Sequence, residues 1–379
     1  MIIYIMVFIV SFIFAYLAER QLDKGKKIGF YILSFMSIVI PSFLAGIRAS
    51  GVGTDTKVYI DWTFSRSVYA NSLSDMIEFI NVSGIETLYC FVNFVVSRFS
   101  NNLSVIYFIL EFIFLFFSYF GCVKMAKKLD ISFSYCYLVL LLLFFNKSLN
   151  MCRQSLAMSI CLFSIPYILS RDWKKFFLLM LIGFGFHKSI ILFVPLYFIY
   201  NITNNDSRMN KSLAIMILSL LVISAVFFKN IVIGLVGLGF LSSKYLNYVY
   251  LFGSTNNIKF IELFTEILIL FITIIFQRRL ILKSKYNKFL IYIVLLSFAT
   301  FLFGFNASYS QRISYYYSFV LPCIIPQFIE FFKTKRERFF VSVLVILILS
   351  FYSYMYYDKY RFDQTIPYTI DTSIKKIIN

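Results

Sequence analysis

Four short segments hold the side chains of this sequence that could do chemistry, each set against apolar surroundings. In Arg48-Ala-Ser-Gly-Val-Gly-Thr-Asp-Thr-Lys-Val-Tyr59 two glycines and two threonines surround Asp55, the composition of a tight polar turn. In Asn150-Met-Cys-Arg-Gln-Ser155 the charge of Arg153 falls one turn into an otherwise apolar helix. A charge there costs roughly 2.5–3.5 kcal/mol at mid-bilayer and less near an interface. Such a residue faces a water-filled cavity or a partner, or it snorkels to the interface. Phe186-His-Lys-Ser189 contains the single histidine, His187, beside Lys188. Tyr309-Ser-Gln-Arg-Ile-Ser-Tyr-Tyr-Tyr317 sets Arg312 among four tyrosines, Tyr316 included. That is either an aromatic belt at a membrane surface or a site for an anion or a sugar, since arginine forks onto phosphate oxygens. Glu111, Glu262 and Glu266 are secondary candidates, and the last two are spaced to share one helix face.

Together Arg48, Arg153, Lys188 and Arg312, with Asp55 and His187 nearby, describe a basic cavity suited to an anionic, lipid-borne substrate. Each residue also has a purely structural reading: Arg48 as the anchor of a helix end, His187 as a satisfied lone histidine. Several chemistries have nothing to stand on. Gly51-Val-Gly53 lacks both a preceding strand and the third glycine of a dinucleotide fingerprint. There is no H-E-x-x-H, no Walker A and no G-x-S-x-G. One histidine and six cysteines without a C-x-x-C pair give no metal-ligand set, so neither a metal nor a cofactor is expected. The cysteines read as small buried hydrophobes.

The elements that must position these residues are membrane helices. The 379-residue chain is 60% hydrophobic and only 14% charged, far from the roughly 25% charge of soluble domains. Its apolar residues come in blocks that match the ~20 residues needed to cross a bilayer. Net charge is +18. Lysine and arginine concentrate in cytoplasmic loops of membrane proteins, which accounts for that charge without nucleic acid as a partner. The fold expected is an all-α integral membrane protein of about 12 transmembrane or half-membrane helices in one polytopic domain, 1–379. Basic loops orient it. Arg20 to Lys27, Lys124 to Lys128, Arg171 to Lys175, Gln277 to Lys288 and Lys333 to Arg338 face the cytoplasm. Both termini, a long loop over 48–102, a second loop over 229–259 and a polar tail over 358–379 then lie outside. Within the first loop, Leu88 to Phe99 reads as a short re-entrant or interfacial helix, and 176–200 as a broken hairpin with its tip near His187. The first apolar run, Met1 to Ala18, lacks a basic leader and a clear cleavage site and reads as a retained helix. The wealth of Ile, Phe, Asn, Lys and Tyr suggests an AT-rich bacterial genome.

These segments, in this order, resemble the EpsG-like family of bacterial polysaccharide polymerases, which overlaps the Wzy-type O-antigen and capsule polymerases. The matching pieces are Arg48…Gly53-Thr-Asp-Thr-Lys-Val-Tyr59, Glu86-Thr-Leu-Tyr89, Arg153-Gln-Ser-Leu-Ala157, His187-Lys-Ser189 and Arg312-Ile-Ser-Tyr-Tyr316. The resemblance implies a GT-C-like helical bundle in the bacterial cytoplasmic (inner) membrane. It implies a site at the outer face that moves a growing glycan from undecaprenyl pyrophosphate onto a new lipid-linked oligosaccharide repeat unit. Partners implied are that lipid-linked oligosaccharide, membrane lipid, and the chain-length regulator and flippase of the same pathway. Arg153 and Arg312 would hold pyrophosphate, with Arg48 and Lys188 in support. Asp55 or His187 would be the base, and Tyr59 and Tyr316 would line the sugar path. The competing readings are a flippase or other transporter of lipid-linked oligosaccharide, an O-antigen ligase, and a membrane acyltransferase.

Overall fold

The computed structural model describes residues 1–204, 208–241, 246, 250, 260–305 and 310–371. Among them are seventeen α-helices and no strand; the one β-type pairing is an isolated bridge between Arg48 and Ile370. Among the described residues, nine helical segments are long and apolar enough to cross a membrane. Contacts divide the chain into two compact units, Met1–Ile191 with Ile325–Asn379, and Leu192–Ile324.

The first unit holds α1 (Ile2–Asp23), α2 (Lys27–Gly46), α6 (Leu103–Leu129), α7 (Phe133–Asn150), α8 (Cys152–Leu169), α9 (Trp173–Phe186) and α17 (Lys335–Ser353). Its centre is α7, of which every residue except Tyr135 is buried. In a bilayer such packing relies on close fit, because lipid tails are as apolar as leucine. The fit is visible at Gly121, where an added Cβ would lie 3.0 Å from Leu162 Cγ and 3.1 Å from Phe163 N; α6 and α8 approach each other there. Aromatic edges complete the core, with Tyr119 and Tyr137 centroids 4.9 Å apart and Phe8 and Phe145 5.2 Å apart.

The two ends of this unit differ chemically. At one end Glu19 of α1 accepts hydrogen bonds from Phe133 N (2.8 Å) and from the hydroxyls of Ser132 (2.7 Å) and Ser134 (2.6 Å), closing the start of α7. Lys124 near the end of α6 donates to Tyr167 near the end of α8 at 2.8 Å. Lys24 and Arg171 lie in the turns at this end, and Lys27, Lys128 and Lys174 in the helix termini that adjoin them. At the other end lie the start of α1, the end of α2 and the junction of α7 with α8. There the segment expected as a long loop folds into a π-helical turn, Thr56–Asp61, and three short helices, α3 (Trp62–Tyr69), α4 (Leu73–Ser83) and α5 (Thr87–Ser97), the last of them at the place of the short helix expected over Leu88 to Phe99. These run 8 to 11 residues, too short to register as membrane spans. A capping box at Ser72 and Asp75 marks the start of α4.

The C-terminal segment is strapped across the same end. Gly53 N donates to Gln364 O, Thr54 N to Asp363 O and Ala49 N to Thr369 O, at 3.0, 3.2 and 2.8 Å. Tyr4 OH donates to Thr365 O at 2.8 Å, and Asn146 Nδ2 to Thr365 Oγ1 at 3.0 Å. The polar tail expected over 358–379 is thus docked up to Asp371, and its remainder lies outside the described residues.

The second unit contains α10 (Leu196–Asn204), α11 (Arg208–Val226), α12 (Phe228–Gly237), α13 (Phe260–Lys283), α14 (Asn287–Phe301), α15 (Ser314–Ser318) and the start of α16 (Leu321–Ile329). The largely buried α14 is its centre, tied to α11 by Tyr292 OH donating to Ala214 O at 2.9 Å. The second loop, expected over 229–259, begins with α12, and most of it lies outside the described residues.

One glycine decides the shape of the 48–56 turn. Gly53 has φ +97°, and a Cβ there would lie 2.8 Å from Leu149 O and 2.8 Å from Thr56 Oγ1. Gly53→Ala should cost about 1–3 kcal/mol, lowering the thermal unfolding midpoint of the purified protein. Gly234→Ala, where nothing lies within 4 Å, should leave the midpoint unchanged or raised.

Candidate functional site

The site is built where α8 begins. Only Met151 (φ −92°, ψ 51°) separates α7 from α8. The break leaves Asn150 at the tip, where its side chain ties three segments together. Its Oδ1 accepts from Thr54 Oγ1 (2.9 Å) and Asp55 N (2.8 Å), and its Nδ2 donates to Asp363 Oδ1 at 3.2 Å. Asp55 leads into the π-helical turn, with Tyr59 N donating to Asp55 O at 3.0 Å.

Arg153 projects from the first turn of α8. Its guanidinium lies over the Tyr59 ring, 4.1 Å from the centroid. Its Nη1 donates to Glu86 Oε2 at 2.6 Å. The other carboxylate oxygen, Glu86 Oε1, accepts from His187 Nδ1 at 2.8 Å and from Lys188 N at 3.3 Å. Lys188 Nζ reaches the carbonyl of Gly84 at 3.2 Å, pinning the link from α4 to α5. The helical break expected near His187 is present: α9 ends at Phe186, His187 is extended (φ −158°, ψ 120°), and a 3-10 turn follows over Lys188–Phe193. The sequence segments around Tyr59, Arg153, His187 and Lys188 therefore meet around Glu86, with Asp55 at the head of the turn that carries Tyr59.

Glu86 is 6% exposed. Burial would raise its pKa, but the hydrogen bond from His187, the charge of Arg153 and the charge of His187 outweigh burial and pull it down to about 2. It is a carboxylate throughout the physiological range and accepts only, so the bond to His187 requires the proton on Nδ1. Among the described residues, His187 Nε2 and Arg153 Nε and Nη2 make no hydrogen bond. The arrangement thus offers an imidazole nitrogen able to take a proton and guanidinium donors able to receive an anion.

Arg48 makes a separate stack. It is 2% exposed, with its guanidinium 4.6 Å from the centroid of the Tyr107 ring, and Tyr107 OH donates to Asp61, the last residue of the π-helical turn. The turn therefore runs between two arginine–tyrosine stacks, Arg153 on Tyr59 and Arg48 near Asp61. Arg48 Nε and Nη1 are buried without a hydrogen-bond partner among the described residues. A buried cation so placed needs a counter-group.

Arg312 and Tyr316 belong to the second unit. Arg312 sits in a 3-10 turn, Ser310–Ile313, that leads into α15. Tyr316 is buried there, and its neighbour Tyr315 donates to Glu262 Oε1 at 2.9 Å. Tyr309 lies outside the described residues. Glu111 is buried in α6 and accepts from Ser148 Oγ at 2.7 Å, a bond between two core helices. All six cysteines are free and buried.

Three residues of the constellation were not among the expected site residues: Glu86, Asn150 and Asp363. Glu86 had a signal, an acidic residue just ahead of an apolar helix, where the helix dipole favours negative charge. Because its pKa is depressed, the stability it contributes is complete above its ordinary value of 4.5 and is lost as pH falls toward about 2. Breaking the pair by Glu86→Gln should cost about 3–5 kcal/mol near neutrality. Thermal unfolding should show the gap between Glu86→Gln and wild type closing as the pH is lowered from 5 toward 3.

Comparison with known proteins gives one match. The family model described as the EpsG family matches residues 31–370, which takes in every residue of the constellation. No curated protein and no solved structure matches. The chain belongs to the EpsG family, that of Wzy-like polysaccharide polymerases.

Proposed function

We propose that this membrane polysaccharide polymerase takes a lipid-linked donor, moving a growing glycan from undecaprenyl pyrophosphate to the non-reducing end of a new lipid-linked repeat unit. The observation that carries the reading is the Arg153–Glu86–His187 constellation at the end of the first unit opposite its lysine-rich turns. Those turns belong in the cytoplasm by the positive-inside tendency, which puts the constellation and both termini at the outer face of the bacterial cytoplasmic membrane. The product is then a surface glycan of the O-antigen, capsule or exopolysaccharide kind, made alongside a flippase and a chain-length regulator.

The chemistry asks for two things. Pyrophosphate leaves with developing charge, which preorganised donors in a low-dielectric site stabilise. Arg153 supplies Nε and Nη2, and Lys188 and Arg48 of the same unit supply further positive charge, arginine being suited to fork onto phosphate; the assignment of Arg312 to pyrophosphate rests on its sequence segment alone. The acceptor hydroxyl must give up its proton to a group within hydrogen-bond reach, a role for Asp55 or His187. Tyr59 offers its ring to the sugar path; Tyr316, assigned to the same path from its sequence segment alone, is buried within the second unit.

The test is the size ladder of surface polysaccharide in a deletion strain, with and without a plasmid copy. Deletion should leave single repeat units on the acceptor, and the copy should restore long chains. Loss of all surface glycan, with lipid-linked units trapped on the cytoplasmic side, would mean a flippase instead. In the complemented strain, Arg153→Ala and Arg312→Ala should each cut polymerisation on the order of 10²–10³-fold, read as collapse of the ladder to short chains. Unchanged chain length in both would remove the pyrophosphate assignment.

A further inference from the structure

Glu86 lies at the centre of the site, yet nothing in the reaction requires a carboxylate there. It touches neither the phosphate-binding donors of Arg153 nor His187 Nε2. It is held by a backbone N–H as well as by the two side chains, so its own position is fixed. Its two oxygens are divided, one to Arg153 and one to His187. A group fixed in this way orients its partners.

We propose that Glu86 is the positioning residue that makes His187, rather than Asp55, the base: it locks the imidazole as the Nδ1–H form with Nε2 turned to the acceptor, and at the same time aims Arg153 at the leaving group. This rests on the polymerase reading above. The step balances as follows. The acceptor hydroxyl oxygen bonds to the anomeric carbon of the donor glycan while its proton passes to His187 Nε2. The bond from that carbon to the pyrophosphate oxygen breaks, and the electron pair leaves with pyrophosphate, met by Arg153. The imidazolium that results has its Nδ1–H already on a carboxylate, so its charge is compensated as it forms. It afterwards returns the proton to solvent. Groups facing His187 are Glu86 at Nδ1, Lys188 next in the chain, and Arg153 across the shared carboxylate. Asp55 is held differently, its backbone N–H on Asn150 at 2.8 Å, which sets its place in the turn.

His187 is the only histidine, so its tautomer can be read in the whole protein without interference. Protein carrying ¹⁵N-histidine and a histidine-free tag, in lipid nanodiscs, should show Nδ1 protonated and Nε2 bare. Glu86→Gln should lose that preference. With lipid-linked repeat units isolated from the deletion strain, its kcat should fall on the order of 10²-fold while KM changes by a smaller factor. Glu86→Asp, which keeps the charge, should recover part of both. A wild-type imidazole protonated on Nε2 overturns the proposal without any variant being made. So does a Glu86→Gln protein that loses the tautomer and keeps its turnover. Failure of the wild type to lengthen chains, with Nδ1 protonated as expected, would count against the polymerase reading alone.

Discussion

A carboxylate taken out of water has to be answered by charge and by hydrogen bonds, and the first unit is arranged around that requirement at Glu86. The oxygens are met by Arg153 from α8, by His187 from the end of α9 and by the backbone of Lys188. The start of α8 and the end of α9, 67 and 101 residues on in the sequence, are thereby fixed to the start of α5. A neutral residue at position 86 would leave the Arg153 side chain, 15% exposed, with little but a tyrosine ring to offset its charge, and the apolar first turn of α8 would have to tolerate it. The cluster is therefore a structural necessity and a chemical opportunity together. The same division of two carboxylate oxygens that makes Arg153 tolerable also sets the tautomer of His187.

The turn that covers this cluster is defined by different forces. Gly53 provides a left-handed backbone with no room for a side chain. Asn150 provides both an acceptor and a donor, so a single amide spans the turn, the helix junction and the strap. A π-helical turn then carries Tyr59 beneath Arg153 and ends at Asp61, on the hydroxyl of Tyr107. Two cation–π stacks at the two sides of one short turn place its aromatic and acidic groups without a strand or a long helix.

Much of the architecture is legible in the order of residues, because crossing a bilayer demands long apolar blocks and leaves little freedom in where they fall. The break at His187 is legible for a related reason: glycines, a histidine and a lysine interrupt an apolar run. Arg153 stands out because charge inside an apolar helix is costly. The short helices α3 and α4 are hidden by their length and mixed composition and read as loop, whereas the apolar run Leu88 to Phe99 shows α5. Glu86 is hidden because its meaning depends on partners 67 and 101 residues away. Asn150 and Asp363 look like ordinary polar residues at a turn and in a tail, and only their meeting across 213 residues gives them a role. Resemblance reaches such residues as parts of motifs, whereas local pattern does not.

The strap has a consequence for how the protein comes into being. Tyr4 and Thr365 touch although 361 residues separate them, and Asp363 closes on a turn made three hundred residues earlier. During synthesis the first helices enter the membrane long before the segment that seals this end of them has left the ribosome. The glycine turn and the α7–α8 junction must wait, half assembled, until α17 has been inserted and the residues that follow it have reached them. A chain halted before that point can have Arg48, Arg153 and His187 and still lack the shape of the site. Assembly of the candidate site is in this way tied to the last part of the chain to be made.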